Sequence, residues 1–262
     1  TGDHRVVELI WDSPMSAVSS ALRPMVTAGP GNELIAADYS NLDGRTLAWL
    51  AGEAWKLQAF RDFDAGVGPD LYVLTYSKSF GVPVAQVTGD QRQIGKVQEL
   101  ALGFGGGKGA FQSMAGMYGM AVTDERADSL KVAWRDAHPM VCAFWSALED
   151  AARAAIQAPG NVFSAGRHIK FVAEAGFLWC RLPKGRLLAY AKPSIEMTKT
   201  KFGVREQIRF YGINGYTKQW EKQSTYGGKL AENVTQATAR DVMAAGIVRV
   251  EHILALHAGG KG

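Results

Sequence analysis

Four side chains recur at every fourth position in the segment 88–104: Arg92, Lys96, Leu100 and Phe104. In a helix this spacing places all four on one face. Two cations followed by an aromatic ring suit a nucleoside triphosphate, because the cations neutralise phosphates and the ring stacks on a base. The alternative is an ordinary helix whose solvated charged end runs into a packed apolar end.

Asp38 follows the short apolar run 34–37 and precedes Ser40 and Asp43, which have the spacing of a capping box. This pattern predicts a strand, a sharp turn and a helix, with Asp38 at the carboxyl end of the strand. Such an aspartate can present its carboxylate beside its neighbour's carbonyl, and Mg²⁺ prefers hard oxygen ligands of this kind. The alternative is an aspartate that only shapes or caps the turn.

The last predicted helix begins with the amides Asn233 and Gln236, followed by Arg240 and Asp241. Amides at a helix start can read acceptors in the minor groove of a nucleic-acid duplex. Helix capping and surface polarity explain the same residues equally well.

The glycine-rich segment 103–109 (GFGGGKG) is not a phosphate-binding P-loop. That motif, G-x-x-x-x-G-K-[ST], needs a glycine where Leu102 stands and a Ser or Thr where Gly109 stands. We interpret the segment as a helix terminus followed by a flexible turn.

Apolar periodicity and glycine or proline punctuation predict the helices that position these residues. The predicted helices cover 17–28 with an interruption near Pro24, 55–80 with a break at 66–69, 88–104, 124–137, 139–160 and 229–257. The apolar stripe of the last helix consists of Met243, Ile247, Val250 and Leu254.

Two hairpins are predicted in the C-terminal third. Phe177–Leu182 and Arg186–Tyr190 flank a Pro-Lys-Gly turn, and Glu206–Ile213 and Tyr216–Glu221 flank Asn214-Gly215. Asn-Gly between two apolar runs is the strongest short hairpin signal in the sequence.

The composition is that of a globular protein. The 262 residues are 47% hydrophobic, which suffices for the core of one large domain or two smaller lobes. A net charge of +4 is compatible with a nucleic-acid partner but is also common among other enzymes. No apolar run approaches the ~20 residues of a membrane span. Cys142 and Cys180 lack metal-ligand spacing and are predicted to be buried free thiols, which suits a reducing cytosol.

Several segments resemble motifs of the family A DNA polymerases. The family's first motif, Asp-Tyr-Ser-Gln-Ile-Glu-x-Arg and then Leu-Ala, corresponds to 38–48 (DYSNLDGRTLA). Its second motif, Arg-x3-Lys-x7-Tyr-Gly, corresponds to 92–105. The segments 182–190 (LPKGRLLAY), 214–220 (NGYTKQW) and 226–241 (YGGKLAENVTQATARD) resemble the phage and prophage branch. The matches keep the family's order across nearly the whole chain.

The resemblance implies an α+β fold with a polymerase palm, built on an antiparallel sheet with helices, and a mostly helical fingers subdomain. Residues 1–55 would be the first part of the palm, 56–176 the fingers, and 177–262 the hairpins and long helix that return to the palm. The implied activity is that of a template-directed DNA polymerase, a nucleotidyltransferase that adds dNTPs to a primer 3′-hydroxyl with two Mg²⁺ ions. We expect a monomer in the bacterial cytoplasm, encoded by a phage or prophage and without a membrane partner.

The resemblance also assigns residue roles. Asp38 would be the catalytic residue and would bind both Mg²⁺ ions, with the Tyr39 carbonyl as a further ligand. Arg92 and Lys96 would hold the incoming triphosphate when the fingers close. Phe104 would stand where the family's tyrosine guards the templating base.

Four departures from the family pattern concern the nucleotide site. Asp43 replaces a glutamate that excludes the ribose 2′-hydroxyl, and its shorter side chain predicts looser sugar discrimination. Leu100 replaces an aromatic residue, so stacking is lost there. Tyr72 stands where the family often has a phosphate-contacting histidine, and Phe104 lacks the tyrosine hydroxyl.

The resemblance further implies that Gln236 touches the duplex near the primer end, with Asn233 and Arg240 as neighbouring DNA-binding residues. The family's third motif, His-Asp-Glu, supplies the second metal-binding carboxylate, and no Asp or Glu follows Glu251. We therefore expect a palm–fingers fragment that extends primers poorly or not at all by itself.

Two other functions remain open at this point. One is a catalytically dead nucleic-acid-binding module, which would bind DNA without metal-dependent dNTP binding. The other is a relative of the single-subunit RNA polymerases, which Asp43 at the sugar-discriminating position disfavours.

Overall fold

The structure, a computed structural model, describes residues 14–22, 24–200 and 203–259. The chain divides into two compact units, residues 1–40 and 41–262. The described α-helices are α1 Pro14–Leu22, α2 Leu42–Ala51, α3 Ala54–Asp64, α4 Leu71–Phe80, α5 Gly89–Leu102, α6 Lys108–Met117, α7 Asp124–Ala137, α8 Pro139–Gln157 and α9 Gly227–Gly259. The described strands are β1 Phe163–Ala165, β2 Ile169–Glu174, β3 Phe177–Arg181, β4 Leu187–Thr200, β5 Gly203–Ile213 and β6 Trp220–Thr225.

The first unit contains α1 and then a segment, residues 24–40, that forms turns but no helix or strand. Residues 24 and 25 form a turn after α1, where an interruption was predicted near Pro24, but residues 26–28 are not helical, so the predicted helix over 17–28 is confirmed up to Leu22 and wrong for 26–28. The strand predicted over 34–37 is wrong: residues 33–39 form no strand, and Ile35 is 87% exposed. A short apolar run becomes a strand only where another strand pairs with it, so its composition alone did not decide its conformation.

Helix α2 begins without the predicted capping box. Its N-cap residue is Asn41, in the left-handed region at φ 52°, and the cap makes no side-chain hydrogen bond. Ser40 is therefore not the N-cap residue, although the helix itself is where the sequence predicted it.

The other helical predictions in the second unit are confirmed, with one omission. The break at 66–69 separates α3 from α4, and α7 covers the predicted 124–137. The omission is α6, which begins at Lys108 inside the segment interpreted as a flexible turn. Gly107 is its N-cap residue, so the glycine cluster separates two helices.

The strands form one antiparallel sheet in the order β1-β2-β3-β4-β5-β6. Alternation along β2 buries Ile169, Phe171 and Ala173 on one face. Helix α8 packs across β1 to β4 with an apolar stripe that includes Phe144 and Leu148. Helices segregated beside an antiparallel sheet define an α+β fold, as predicted.

The second hairpin has a longer loop than predicted. Strands β5 and β6 pair antiparallel, and the last pair is Ile213 with Trp220. The loop is therefore residues 214–219, and the Asn-Gly dipeptide does not form a two-residue turn. The Asn214 side-chain oxygen instead accepts hydrogen bonds from the backbone N–H groups of Tyr216, at 2.8 Å, and Thr217, at 3.4 Å.

Helix α9 has a buried first half and an exposed second half. Leu230, Ala231 and Val234 are fully buried in the core. The predicted apolar stripe of its second half is exposed, with Ile247 at 62% and Leu254 at 59%. Helix α9 packs against α2 and α8.

Candidate nucleotide and nucleic-acid site

Asp38 and Tyr39 lie near the end of the first unit, in a segment without helix or strand. Both residues are exposed, and the Tyr39 side chain is 48% accessible. A carboxylate and a backbone carbonyl in succession are available to a hard cation there. Among the described residues, no group of three or more His, Cys, Asp or Glu side chains is arranged to hold a metal ion.

Arg92, Lys96 and Leu100, the side chains predicted to form a row along one helical face, lie on α5. This helix begins with a complete capping box. The Thr88 hydroxyl accepts from the Gln91 N–H at 3.3 Å, and the Gln91 side chain accepts from the Thr88 N–H at 2.9 Å. One face of α5 is buried through Val97 and Leu102. Arg92 and Lys96 are half-buried and lie one turn apart, so the predicted helical face is confirmed for these two residues, whereas Phe104 lies beyond the helix end.

The apolar end of the row is divided between solvent and core. Leu100 is 44% exposed on α5. Phe104 lies two residues beyond the helix end, where it is half-buried against the main core. The row therefore presents two cations and an exposed leucine, followed by a ring that is largely packed.

Arg92 is held by Asp70, which also caps α4. One oxygen of Asp70 accepts from the backbone N–H groups of Tyr72 at 2.9 Å and Val73 at 3.1 Å. The other oxygen lies 2.5 Å from Arg92 Nε. In the described part of the chain, neither terminal nitrogen of the guanidinium group has a hydrogen-bond partner. The two terminal nitrogens of the Arg92 guanidinium group are thus held in one orientation and are still available to a ligand.

Tyr72 lies beneath the same guanidinium group. The Arg92 Cζ is 5.3 Å from the centroid of the Tyr72 ring, within cation–π range. Burial and the negative charge of Glu99 raise the pKa of the Tyr72 hydroxyl, so it stays protonated and can donate a hydrogen bond at neutral pH. The close approach of α4 and α5 depends on Gly95, because a Cβ there would overlap the Tyr72 carbonyl oxygen.

Lys96 lies one turn further along α5. Its Nζ is 4.8 Å from the centroid of the Tyr118 ring. No carboxylate of the described residues forms an ion pair with it, so its charge is not neutralised within that part of the chain.

Behind the row, α5 carries the buried Glu99. Its carboxylate is 7% exposed and pairs with the Lys56 ammonium group, which is 1% exposed. Thr75 Oγ1 donates to it at 2.9 Å and Trp134 Nε1 at 3.1 Å, and His138 Nε2 lies 3.1 Å away. The carboxylate thereby joins α5 to α3, α4 and α7.

Opposing effects set the charge state of Glu99. Burial acts to raise its pKa, but the Lys56 ammonium group and His138 outweigh burial and hold the pKa of this carboxyl far below its usual range. Glu99 is therefore ionised at neutral pH, and α5 is attached to its neighbours by a charged group.

The end of α5 meets the start of α9 and the side of α2. A Cβ at Gly228 would overlap the Phe104 carbonyl oxygen, so only glycine allows α9 to begin this close. Helix α2, which carries the exposed Asp43, packs against α9. Phe104 thus lies beside the start of α9, and Asp43 lies on a helix that packs against α9.

The predicted DNA-binding residues of α9 have different surroundings. Gln236 and Arg240 are exposed, and the Gln236 amide is 3.5 Å from Glu232. Asn233 is half-buried and donates from its amide to the Tyr190 hydroxyl at 3.1 Å. Its amide is therefore partly used inside the protein, whereas Gln236 and Arg240 face solvent.

Comparison with known proteins identifies the family. The sequence model described as DNA polymerase family A matches residues 14–259. This chain belongs to the family A DNA polymerases.

Two relatives show how this family A chain relates to whole enzymes. It is 37% identical to the DNA polymerase of Bacillus phage SP02 over 253 residues, which cover 96% of this chain and 38% of that protein. It is 36% identical to DNA polymerase I of Pseudomonas aeruginosa over 90 residues, or 34% of this chain and 9% of that protein. The chain thus spans less than two fifths of the curated relatives it matches.

A solved structure gives a weaker match. The polymerase domain of Pol1 from M. smegmatis, in complex with DNA primer-template and dNTP, shares 25% identity with this family A chain. The match covers 45% of this chain and 19% of that one, with a TM-score of 0.36. No helix of the described residues is both long and apolar enough to cross a membrane.

Sequence reasoning missed two groups in this family A chain. Asp70 has a recognisable local signal, since an aspartate directly before an apolar helix start is a typical N-cap. The Lys56–Glu99 pair has none, because a lysine and a glutamate separated by 43 residues are brought together only by packing. The cysteine prediction is confirmed for Cys180, which is buried and free, while Cys142 is free but only half-buried.

Proposed function

We propose that this chain carries the nucleotide-binding residues and a metal-binding aspartate of a template-directed DNA polymerase, which adds dNTPs to a primer 3′-hydroxyl. The observation that carries the proposal is the exposed face of α5 in a family A chain. There Asp70 fixes Arg92 through Nε and leaves the terminal nitrogens of the fork available.

The triphosphate is the part of the substrate that this face suits. A guanidinium group with two available nitrogens can bind phosphate oxygens in a bidentate manner, and Lys96 adds a second positive charge one turn away. The protonated Tyr72 hydroxyl beside Arg92 can donate a further hydrogen bond, which suits the position where the family often has a histidine. Leu100 and Phe104 continue the face toward the base.

Asp38 and the Tyr39 carbonyl are the residues that we propose hold Mg²⁺. They fit the ion because both supply hard oxygens, and Mg²⁺ is usually bound by one or two carboxylates together with substrate phosphates. When bound, the two ions would activate the primer hydroxyl and stabilise the leaving pyrophosphate. Asp38 is the residue of this pair whose side-chain charge can be removed by substitution.

The sugar and the DNA would contact residues on α2 and α9. Asp43 is exposed on the first turn of α2, where we propose that it faces the sugar of the incoming nucleotide. Gln236 and Arg240 are exposed on α9 and would contact the primer–template, and the bonded Asn233 would support them. The proposed setting is a monomeric enzyme in the bacterial cytoplasm, encoded by a phage or prophage.

The test measures nucleotide binding, which needs no turnover. A fluorescent dATP analogue is titrated into the chain with and without Mg²⁺. We expect Arg92→Gln to weaken binding roughly 10- to 100-fold, as for the loss of charge-assisted hydrogen bonds. Asp38→Ala should abolish the Mg²⁺-dependent part of the affinity, and Arg61→Gln, at an exposed arginine on α3, should change neither.

Three results would contradict the proposal. Absence of dNTP binding together with retained DNA binding would indicate the nucleic-acid-binding module. Tighter binding of rATP than of dATP would indicate the RNA polymerase relative. An unchanged Mg²⁺ dependence in Asp38→Ala would remove Asp38 from the metal site.

A primer-extension assay with Mg²⁺ and the four dNTPs addresses a separate expectation. That expectation is poor primer extension by the chain alone. Robust extension by the chain would overturn that expectation and would support the proposed activity.

A further inference from the structure

The outer face of the last two strands carries aromatic and basic side chains together. Lys222 lies opposite Tyr211 and Ser224 opposite Arg209 in the β5–β6 register. Because side chains alternate between the faces of a strand, Tyr211 and Arg209 share one face while Ile208 points to the other. Ile208 is fully buried, so the face with Tyr211 and Arg209 is directed away from the core.

We define the aromatic-basic face by six residues: Lys192, Arg209, Tyr211, Tyr216, Trp220 and Lys222. Its centre is the Tyr211 ring, whose centroid is 5.6 Å from Lys192 Nζ and 5.8 Å from Lys222 Nζ. Arg209 donates to the Lys222 carbonyl at 3.2 Å. The rings and cations therefore alternate along the strands instead of forming separate patches.

The loop at the end of this face and the first residue of β6 each present an aromatic ring to solvent. Tyr216 is 98% exposed and Trp220 62% exposed. The loop is ordered by its own bonds: Asn214 accepts from the Lys218 N–H and donates its N–H to the Gln219 carbonyl, both at 2.9 Å. A turn held in one conformation presents its aromatic side chains at little further entropic cost on binding.

The charge on the aromatic-basic face favours an anion. Glu196 pairs with Lys222 at 2.7 Å, which offsets one of the three cations of the face. Lys192 and Arg209 remain, and the exposed Lys218 adds a further cation in the loop. Rings that alternate with cations match the alternation of bases and phosphates in a nucleic-acid strand.

We propose that the aromatic-basic face binds single-stranded nucleic acid. Unpaired bases would stack on Tyr216, Trp220 and Tyr211, and the phosphates would contact Lys192, Arg209 and Lys218. A duplex does not fit as well, because its bases are already stacked and paired and cannot reach the rings. The inference rests on the proposed function, since the strand would be an unpaired part of the same DNA.

The test is fluorescence anisotropy of a labelled oligothymidine of about 16 nucleotides, with a blunt duplex of equal length as a second ligand. We expect Trp220→Ala and Tyr216→Ala each to weaken oligothymidine binding by roughly 5- to 100-fold, the usual loss for one base–ring stack. Phe63→Ala is the matched control, because Phe63 is an exposed ring at the end of α3 and outside this face. The Phe63→Ala variant should bind oligothymidine with the same affinity as the unmodified chain.

A charge variant adds an independent readout. Lys218→Gln should reduce the slope of log affinity against log salt by about 0.7, as for one lost phosphate contact on a single strand. Blunt-duplex binding and Mg²⁺-dependent dATP binding should stay within about twofold of the unmodified chain in Trp220→Ala, Tyr216→Ala and Lys218→Gln.

The possible outcomes separate this inference from the proposed function. Loss of oligothymidine binding in Trp220→Ala and Tyr216→Ala, with dATP binding retained, supports single-strand binding by the aromatic-basic face. If the chain binds no dATP but its oligothymidine binding depends on Trp220, the inference about the aromatic-basic face holds and the proposed function is contradicted. Absence of oligothymidine binding, or an equal loss in Phe63→Ala or for the blunt duplex, overturns the inference, and the exposed rings would then suit a protein partner. Tyr216→Ala keeps the test valid if Trp220→Ala does not fold, because Tyr216 is almost fully exposed.

Discussion

Replacing Glu99 by glutamine should destabilise the protein strongly, because it leaves Lys56 charged and buried. The Lys56 side chain is 1% exposed and the Glu99 side chain 7%. Removal of one partner from such a pair typically costs about 3–5 kcal/mol, since the remaining charge has lost its counter-ion. This is a large fraction of the ~5–15 kcal/mol by which domains are stable.

The measurement is urea unfolding followed by circular dichroism. With a slope of ~2–3 kcal/mol per molar urea, the midpoint should fall by about 1 M or more in Glu99→Gln. The double variant Lys56→Met/Glu99→Gln should recover most of the loss, because it removes the stranded ammonium group as well. A loss below about 1 kcal/mol in the single variant, or no recovery in the double variant, would refute this account of the buried pair.

The same pair predicts a pH dependence. The pKa of Glu99 is lowered on folding, so its contribution to stability is complete above the ordinary value of 4.5 and is lost as the pH falls below it. Glutamine cannot be protonated in this way. The stability difference between the unmodified chain and Glu99→Gln should therefore be constant near neutral pH and should narrow in acid. A difference that widens in acid would contradict the assignment.

Three further predictions concern the nucleotide face, a helix junction and a thiol. Asp70→Asn keeps a capping side chain but removes the charge beside Arg92, so dATP affinity should fall while the urea midpoint stays nearly constant. A large drop in the urea midpoint would instead show that Asp70 acts mainly as the N-cap of α4. Gly228→Ala should lower the thermal midpoint by several degrees, because its Cβ would overlap the Phe104 carbonyl oxygen; an unchanged midpoint would contradict the close approach. Burial raises the pKa of the Cys180 thiol to about 12, so this cysteine should not react with a thiol reagent at pH 8 until urea unfolds the chain.

The sequence determined the helical framework and the face of α5. Helices α7 and α8 lie where apolar periodicity and the proline at position 139 predicted them, because such signals act within a few residues. The spacing of Arg92 and Lys96 placed both on one helical face for the same reason. The ordered motifs also identified the family, since motif order is a property of the sequence itself.

Tertiary structure decided which groups act on those residues. Whether 34–37 became a strand depended on a pairing partner, and the length of the loop after Asn214 depended on the register between β5 and β6. The Glu99 carboxylate became buried and charged because packing brought Lys56 to it from another helix. Local signals cannot encode such contacts, because each one depends on the positions that distant elements take in the core.

The row of side chains on α5 shows what the sequence and the tertiary structure each contribute. Its two cations and their common face follow from residue type and from the 3.6-residue period of the helix. The fixed orientation of Arg92 follows from Asp70, which reaches it only because α4 packs closely against α5 at Gly95. The sequence thus determined which charges the face presents, and the packing of α4 determined how one of them is directed.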